Sequence, residues 1–309
     1  MKIVSVINYK GGVGKTSLTA NLAAQLAWEG KKVLLLDLDP QASLTFSFIQ
    51  PDDWDKTFKA TKTIKSWFDS FEKGKPVSLA SLVDTPPRVK ARLSGRGSLD
   101  IIYSHLGLIN VDLDLATKLG GATLGQAKRN FIAVHRRLAE GLASDIEAIG
   151  YDLVLIDCPP NFNIVTKTAL IASNYLLVPA KPDHLSTLGI DYLIRSVGEL
   201  IGNYNEYAAI QDDDHVDTIA PSVLGVVFTM IQEYGGVPIS AQRQFISKTK
   251  ALANTSVFSS YIKRNDSLFA SASQFGIPVV LEGYNSGTHL SVVEGLENVS
   301  AEFASAVGL

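Results

Sequence analysis

The chain holds a single cysteine, Cys158, among 309 residues. Neither a disulfide framework nor a cysteine-based metal site can be assembled within one such chain. Long apolar runs are also missing: "VLLLDL", "LVLIDC" and "YLLVPA" fall far short of the ~20 residues a membrane-spanning helix needs. The start, Met1-Lys2 followed by "IVSVIN", lacks the apolar stretch and small-residue cleavage site of a secretory signal, so no export is expected. Lysine and arginine are absent between Arg195 and Arg243 and again after Arg264. With a formal net charge of -3 and 19% charged residues, wholesale coating of nucleic acid is excluded, and any affinity for it must come from local patches. A reducing cytoplasm and no membrane association are the expectation.

What is present is an alternation of short apolar runs with longer stretches of helical period, the pattern of a mostly parallel sheet with crossover helices. Strands are expected at residues 2–8, 32–37, 99–103, 152–157, 175–179, 222–229 and 257–262. Helices are expected from Lys15 to a stop at Gly30, and over 163–173, 185–201, 238–253 and 288–307. The alternation continues without a linker, which predicts one α/β domain over 1–309, a twisted sheet with helices on both faces. Two segments interrupt it. Residues 50–98 read as a polar, basic insertion, with ten Lys/Arg against three Asp/Glu between Lys56 and Arg96. Residues 203–221 read as an acidic, exposed excursion. Lys56, Lys59, Lys62 and Lys65 recur at three-residue spacing and would share one face of a helix; a solvated face and a contact for an acidic partner or DNA are both open.

The chemistry lies in "KGGVGKTS", residues 10–17. Gly11, Gly12, Val13 and Gly14 can turn successive N–H groups inward, and a helix starting at Lys15 adds its positive end to the same anion cradle. Lys15 would neutralise phosphates, Thr16 would offer a hydroxyl to Mg2+, and Ser17 follows on the first helical turn. Tyr9 stands where the usual first glycine of this motif is expected, and Lys10, a second cation, follows it. "LLLDLDPQAS" ends a strand in Asp37 and Asp39, both at the ligand-binding edge of a parallel sheet. "YDLVLIDCPP" places Asp157 after four apolar residues, the form of a Walker B strand whose acid supports Mg2+. Cys158 beside it reads as a small buried residue.

"KGGVGKT", "DLDPQAS", "DCPP" and "VFSSYIKRNDSLFASASQFGIPV" together resemble the ParA family of partition ATPases, P-loop NTPases with a deviant Walker A motif, and the resemblance runs along nearly the whole chain. It implies an ATPase that closes into a homodimer on ATP, with Lys10 reaching the partner's phosphates, which accounts for the extra cation beside Tyr9. It further implies that Lys15 and Thr16 hold phosphate and Mg2+, that Asp39 positions water, that Asp157 supports the metal, and that Pro182, Thr229 and Met230 lie near the base. Because Cys-Pro-Pro follows Asp157 with no adjacent Glu, hydrolysis is expected to be slow until a partner accelerates it. The phosphate loop starts too early for a preceding helix-turn-helix domain, so this reads as the short form.

Within the wider superfamily, an electron-transferring relative of the nitrogenase iron protein would need two cysteines per chain for a bridging cluster. A MinD-like division regulator would need a basic, lipid-binding terminal helix. Neither requirement is met. The expected role is slow, partner-controlled ATP hydrolysis that segregates a plasmid or chromosome through a ParB-like protein, with non-specific double-stranded DNA of the nucleoid as the matrix. A protein cargo recruited by an adaptor is the alternative. Arg195, Arg243, Lys248, Lys250, Lys263 and Arg264 are the candidate DNA contacts.

Overall fold

The computed structural model describes residues 1–209, 216–252 and 255–309. Six parallel strands form one sheet: β1 (Lys2–Val6), β2 (Lys32–Asp37), β3 (Ser98–Ile102), β4 (Leu153–Asp157), β5 (Tyr175–Ala180) and β6 (Ser222–Phe228), in the order β3-β2-β4-β1-β5-β6. Among the described residues, the helices of nine residues or more are α1 (Lys15–Trp28), α2 (Ile64–Glu72), α3 (Leu108–Lys118), α4 (Leu124–His135), α5 (Ile164–Ala172), α6 (His184–Ala208), α7 (Ser240–Lys250), α8 (Asp266–Phe275) and α9 (Gly287–Val307).

Near-continuous apolar strands are what a sheet covered on both faces requires. Side chains alternate accordingly. Leu34, Leu36, Val154 and Ile156 enter a core shared with residues of α2 to α6, whereas Val33, Leu35, Leu153 and Leu155 enter a second core with α1, α8 and α9. Asp37 of β2 and Val6 of β1 are both register partners of Asp157 on β4. The chain crosses from β1 to β2 on one side and later to β5 on the other. That reversal opens a crevice at the carboxyl ends of the strands, where ligands of open α/β sheets bind.

Several expectations need correction. Residues 257–262 do not form a seventh strand. The segment follows the edge of β6 through hydrogen bonds such as Phe258 N to Val226 O (2.9 Å) and Ile262 N to Phe228 O (2.9 Å), but its pairing is reduced to single bridges at Val257 and Lys263. The cause is Glu302 of α9, whose carboxylate accepts the Ser259 and Ser260 amides at 2.8 and 3.0 Å and so takes the middle of the segment out of the sheet. Segment 50–98, polar on average, folds into the body: Trp54, Ile64, Trp67, Phe68, Leu79, Val89 and Leu93 are all buried. Its four evenly spaced lysines do not share a helical face, because Pro51–Thr57 ends before Lys59 and Lys62, and α2 begins at Ile64. Lys59 pairs with Asp55 and Lys65 with Asp69.

α6 extends through the start of the expected acidic excursion, since Val197, Leu200, Tyr204 and Ala208 keep a buried stripe at helical spacing. Residues 210–215 of that excursion lie outside the described residues, as does position 253 of the helix expected over 238–253. Helices α2, α3, α4 and α8 are additions to the expected set.

Candidate nucleotide-binding site

The phosphate loop connects β1 to α1. Gly12 (φ 67°) and Gly14 (φ 80°) adopt the left-handed conformation that glycine alone enters without strain, and Gly14 caps α1. A Cβ placed on Gly11 or Gly12 would meet no atom within 4 Å, so the mouth of the loop is open. Asn8 braces its start: Nδ2 donates to Pro179 O at 2.7 Å, while Oδ1 accepts the Lys10 amide at 2.9 Å. Thr229, at the end of β6, braces its far side by donating from Oγ1 to Val13 O at 2.7 Å.

The two lysines occupy different places. Lys15 is buried, and its ammonium donates to Asn8 O (3.2 Å) and Lys10 O (3.4 Å) inside the loop. Burial lowers its pKa, opposed by the charges of Asp157 and Asp39. Lys10 turns outward to Asp183, with Nζ 2.8 and 2.6 Å from the two carboxylate oxygens. Asp183 in turn caps α6 by accepting the Ser186 amide at 2.9 Å. Burial pushes its carboxyl up, but the Lys10 ammonium and Ser186 outweigh this and hold it below its ordinary value.

Three carboxylates meet the loop. Thr16 Oγ1 donates to Asp157 Oδ2 at 2.8 Å, and Asp157 Oδ1 is buried with no hydrogen-bond partner among the described residues. Burial, then the charge of Asp37, raises the Asp157 pKa well above the carboxylate range, against the pull of Thr16 and Lys15. Asp37 is fully buried and accepts from Thr45 N and Oγ1, both at 2.7 Å. Its pKa is pushed up to about 7 by burial, although those bonds oppose the shift. Asp39 holds the turn after β2, accepting the Gln41 amide at 2.9 Å. Thr16 and Asp157 are thus brought together as expected, with Asp39 near enough to act on Lys15 and Asp157 through its charge.

Beside Gly14 and Ser17 lies a cavity of about 210 Å³, walled by Thr229, Met230, Ile262 and Phe269. Met230 has the positive φ of 56°, and its carbonyl accepts from Gln242 Nε2 at 3.3 Å. Of the residues expected near a base, Thr229 and Met230 stand here and Pro182 does not. Lys263 and Arg264 line this cavity too, paired to Glu233 at 2.9 Å and Asp266 at 2.6 Å. They are therefore not part of a bare basic face with Arg195, itself paired to Asp191 at 2.8 Å. Arg243 and Lys250 do come together, in a groove of α7 with Phe228, Pro238 and Phe258.

Sequence reasoning missed Asp183, Asn8 and the stretch Ile262–Phe269. Only Asp183 carried a local signal, as an N-cap followed three residues later by Ser186.

The family model AAA_31, described as an AAA domain, matches residues 1–210. The chromosome partitioning protein ParA of Caulobacter vibrioides is 30% identical over 282 residues, spanning 91% of this chain and 87% of that protein. The chain belongs to the ParA family of partition ATPases. Another relative, the cell division protein PomZ of Myxococcus xanthus, is 30% identical over 98% of this chain and 79% of its own length. In fold, this ParA-family chain matches the ATP complex of a Cyanothece McdA variant with a TM-score of 0.69 at 20% identity, covering 100% of this chain and 97% of that one. The phosphate loop, Thr16 and Asp157 all fall within the matched residues. Among the described residues, no helix is long and apolar enough to cross a membrane.

Proposed function

We propose that the chain is an ATP-dependent DNA-partition ATPase that dimerises on ATP, binds duplex DNA without sequence preference, and hydrolyses ATP slowly until a ParB-like partner stimulates it, moving a plasmid or chromosome. The observation that carries this reading is the division of labour between the two lysines. Lys15 fills the interior of its own loop, and Lys10 points away from it, toward the start of α6. A cation that the loop does not use for itself is available to a second subunit.

The donor set fits Mg2+ and ATP. The loop offers glycine amides and an ammonium for phosphates. Thr16 and Asp157, with its unsatisfied buried oxygen, would hold the metal, which supplies charge neutralisation when bound. Asp39 would position the attacking water, and Lys10 would add positive charge from the partner subunit as an arginine finger does. With Cys158 and two prolines following Asp157, no adjacent glutamate serves as base, in keeping with slow basal turnover.

DNA contact is assigned to α7, where Arg243, Lys248 and Lys250 lie within one helix. Two copies on one dimer double the phosphate contacts, so ATP switches DNA binding on. The test is a mobility shift of random duplex by the Asp39→Ala protein saturated with ATP. Each lysine or arginine of α7 replaced by alanine is expected to reduce the salt slope by roughly 0.9. Absence of a shift at low salt from a protein shown to be dimeric refutes the DNA reading.

A further inference from the structure

The basic segment contains a feature that the nucleotide site does not use. A cleft of about 280 Å³ opens between the end of α2, the loop after it, and the helical turns at 137–145. Trp67, Phe71, Pro76 and Val77 form its apolar wall. That wall is fixed: Trp67 is 1% exposed, and a Cβ on Gly141 would stand 2.6 Å from its Cζ2. Leu142–Ile146 form a π-helical turn, a departure from α geometry common at functional sites.

Arg137 lies at the floor. Its guanidinium stacks on the Phe71 ring, 4.4 Å from the centroid, and Nη1 is buried with no hydrogen-bond partner among the described residues. The neighbouring carboxylates are committed elsewhere. Glu140 pairs with Arg136 at 2.9 Å, and Glu72 with Lys118 at 3.0 Å. Asp145 accepts the Leu79 amide at 2.7 Å and the Ser144 hydroxyl at 2.9 Å. Lys73 and Lys75 stand exposed on the adjoining loop.

A buried cationic N–H without an acceptor is costly, and a carboxylate is the acceptor that satisfies both its hydrogen bond and its charge. The aromatic wall takes an apolar side chain. The two lysines extend the positive charge beyond the cleft, over more length than one small acid would cover. We propose that this cleft docks a segment of a partner protein in which an Asp or Glu adjoins a large apolar residue, the carboxylate meeting Arg137 and the apolar side chain meeting Trp67 and Phe71. The site shares no residue with the nucleotide site, so its occupancy is independent of the function proposed above.

The experiment titrates the full chain, 15N-labelled, with a set of capped tetrapeptides in which Asp or Glu is flanked by Leu, Phe or Pro, each paired with its Asn or Gln analogue. At least one acidic peptide is expected to shift the Trp67 indole and Arg137 side-chain signals, binding about tenfold or more tighter than its amide analogue. Arg137→Lys should retain part of that preference and Arg137→Met should lose it, while both still bind nucleotide as evidence of folding. Should Arg137→Met fail to fold, Arg137→Lys and the acid-against-amide comparison still decide. Equal response to acidic and amide peptides, or no response to any member at millimolar concentration, overturns the proposal.

Discussion

Replacing Asp183 with Asn separates two jobs of one side chain. Asn still caps a helix N-terminus, so the bond to the Ser186 amide can be kept, while the charge that clasps Lys10 is removed. Lys10 and Asp183 are 31% and 41% exposed, and an ion pair so open to solvent is worth at most about 1 kcal/mol. Lys10 must leave Asp183 before it can reach another subunit. Asp183→Asn should therefore tighten the ATP-dependent dimer by up to about fivefold, the equivalent of 1 kcal/mol, with little change in unfolding temperature. Nucleotide affinity of the monomer should stay the same, because Lys15 is untouched. Sedimentation equilibrium in ATP and Mg2+, in an Asp39→Ala background that suppresses turnover, reads the dimer constant. The gain should shrink with added salt, which screens the pair. An unchanged or weaker dimer refutes the reasoning and shows that the Asp183 charge serves the dimer itself.

At the buried end of the sheet, Asp37 titrates near 7 rather than 3.8, so the native state keeps a proton that the unfolded chain has lost. This group therefore erodes stability as pH rises from about 4 through 7. Between pH 5 and 8 that loss is about 2–3 kcal/mol, so unfolding curves of nucleotide-free wild type and Asp37→Asn should diverge with pH in favour of the variant. Parallel curves contradict the buried charge. Burial pushes the Cys158 thiol up to about 12, so iodoacetamide at pH 8 should leave the native protein unmodified and label it in denaturant. Labelling at equal rates in both conditions contradicts the packing around β4.

The parts of the site legible in the sequence are those whose conformation is set locally. Gly12 and Gly14 take left-handed backbone because the motif demands it, and Thr16 and Asp157 meet because β1 and β4 are adjacent parallel strands. The Lys10–Asp183 clasp joins residues 173 positions apart, and the cavity wall at Ile262–Phe269 comes from equally distant chain; neither leaves a periodic trace. The burial of Ile64, Trp67 and Phe68 was visible as helical spacing, but the average charge of the segment masked it. For residues 257–262 the strand-like composition was sound, and the competing acceptor, Glu302, lay more than 40 residues away.

If Lys10 acts on a second subunit, its removal must abolish the dimer and leave the nucleotide site of the monomer intact. Light scattering coupled to gel filtration reads this, comparing Asp39→Ala with Asp39→Ala/Lys10→Ala, each saturated with ATP and Mg2+. The first should run at twice the chain mass of 33.3 kDa, and the second should bind ATP equally well but remain at the monomer mass. A double variant that dimerises as fully as Asp39→Ala contradicts the action of Lys10 across the interface.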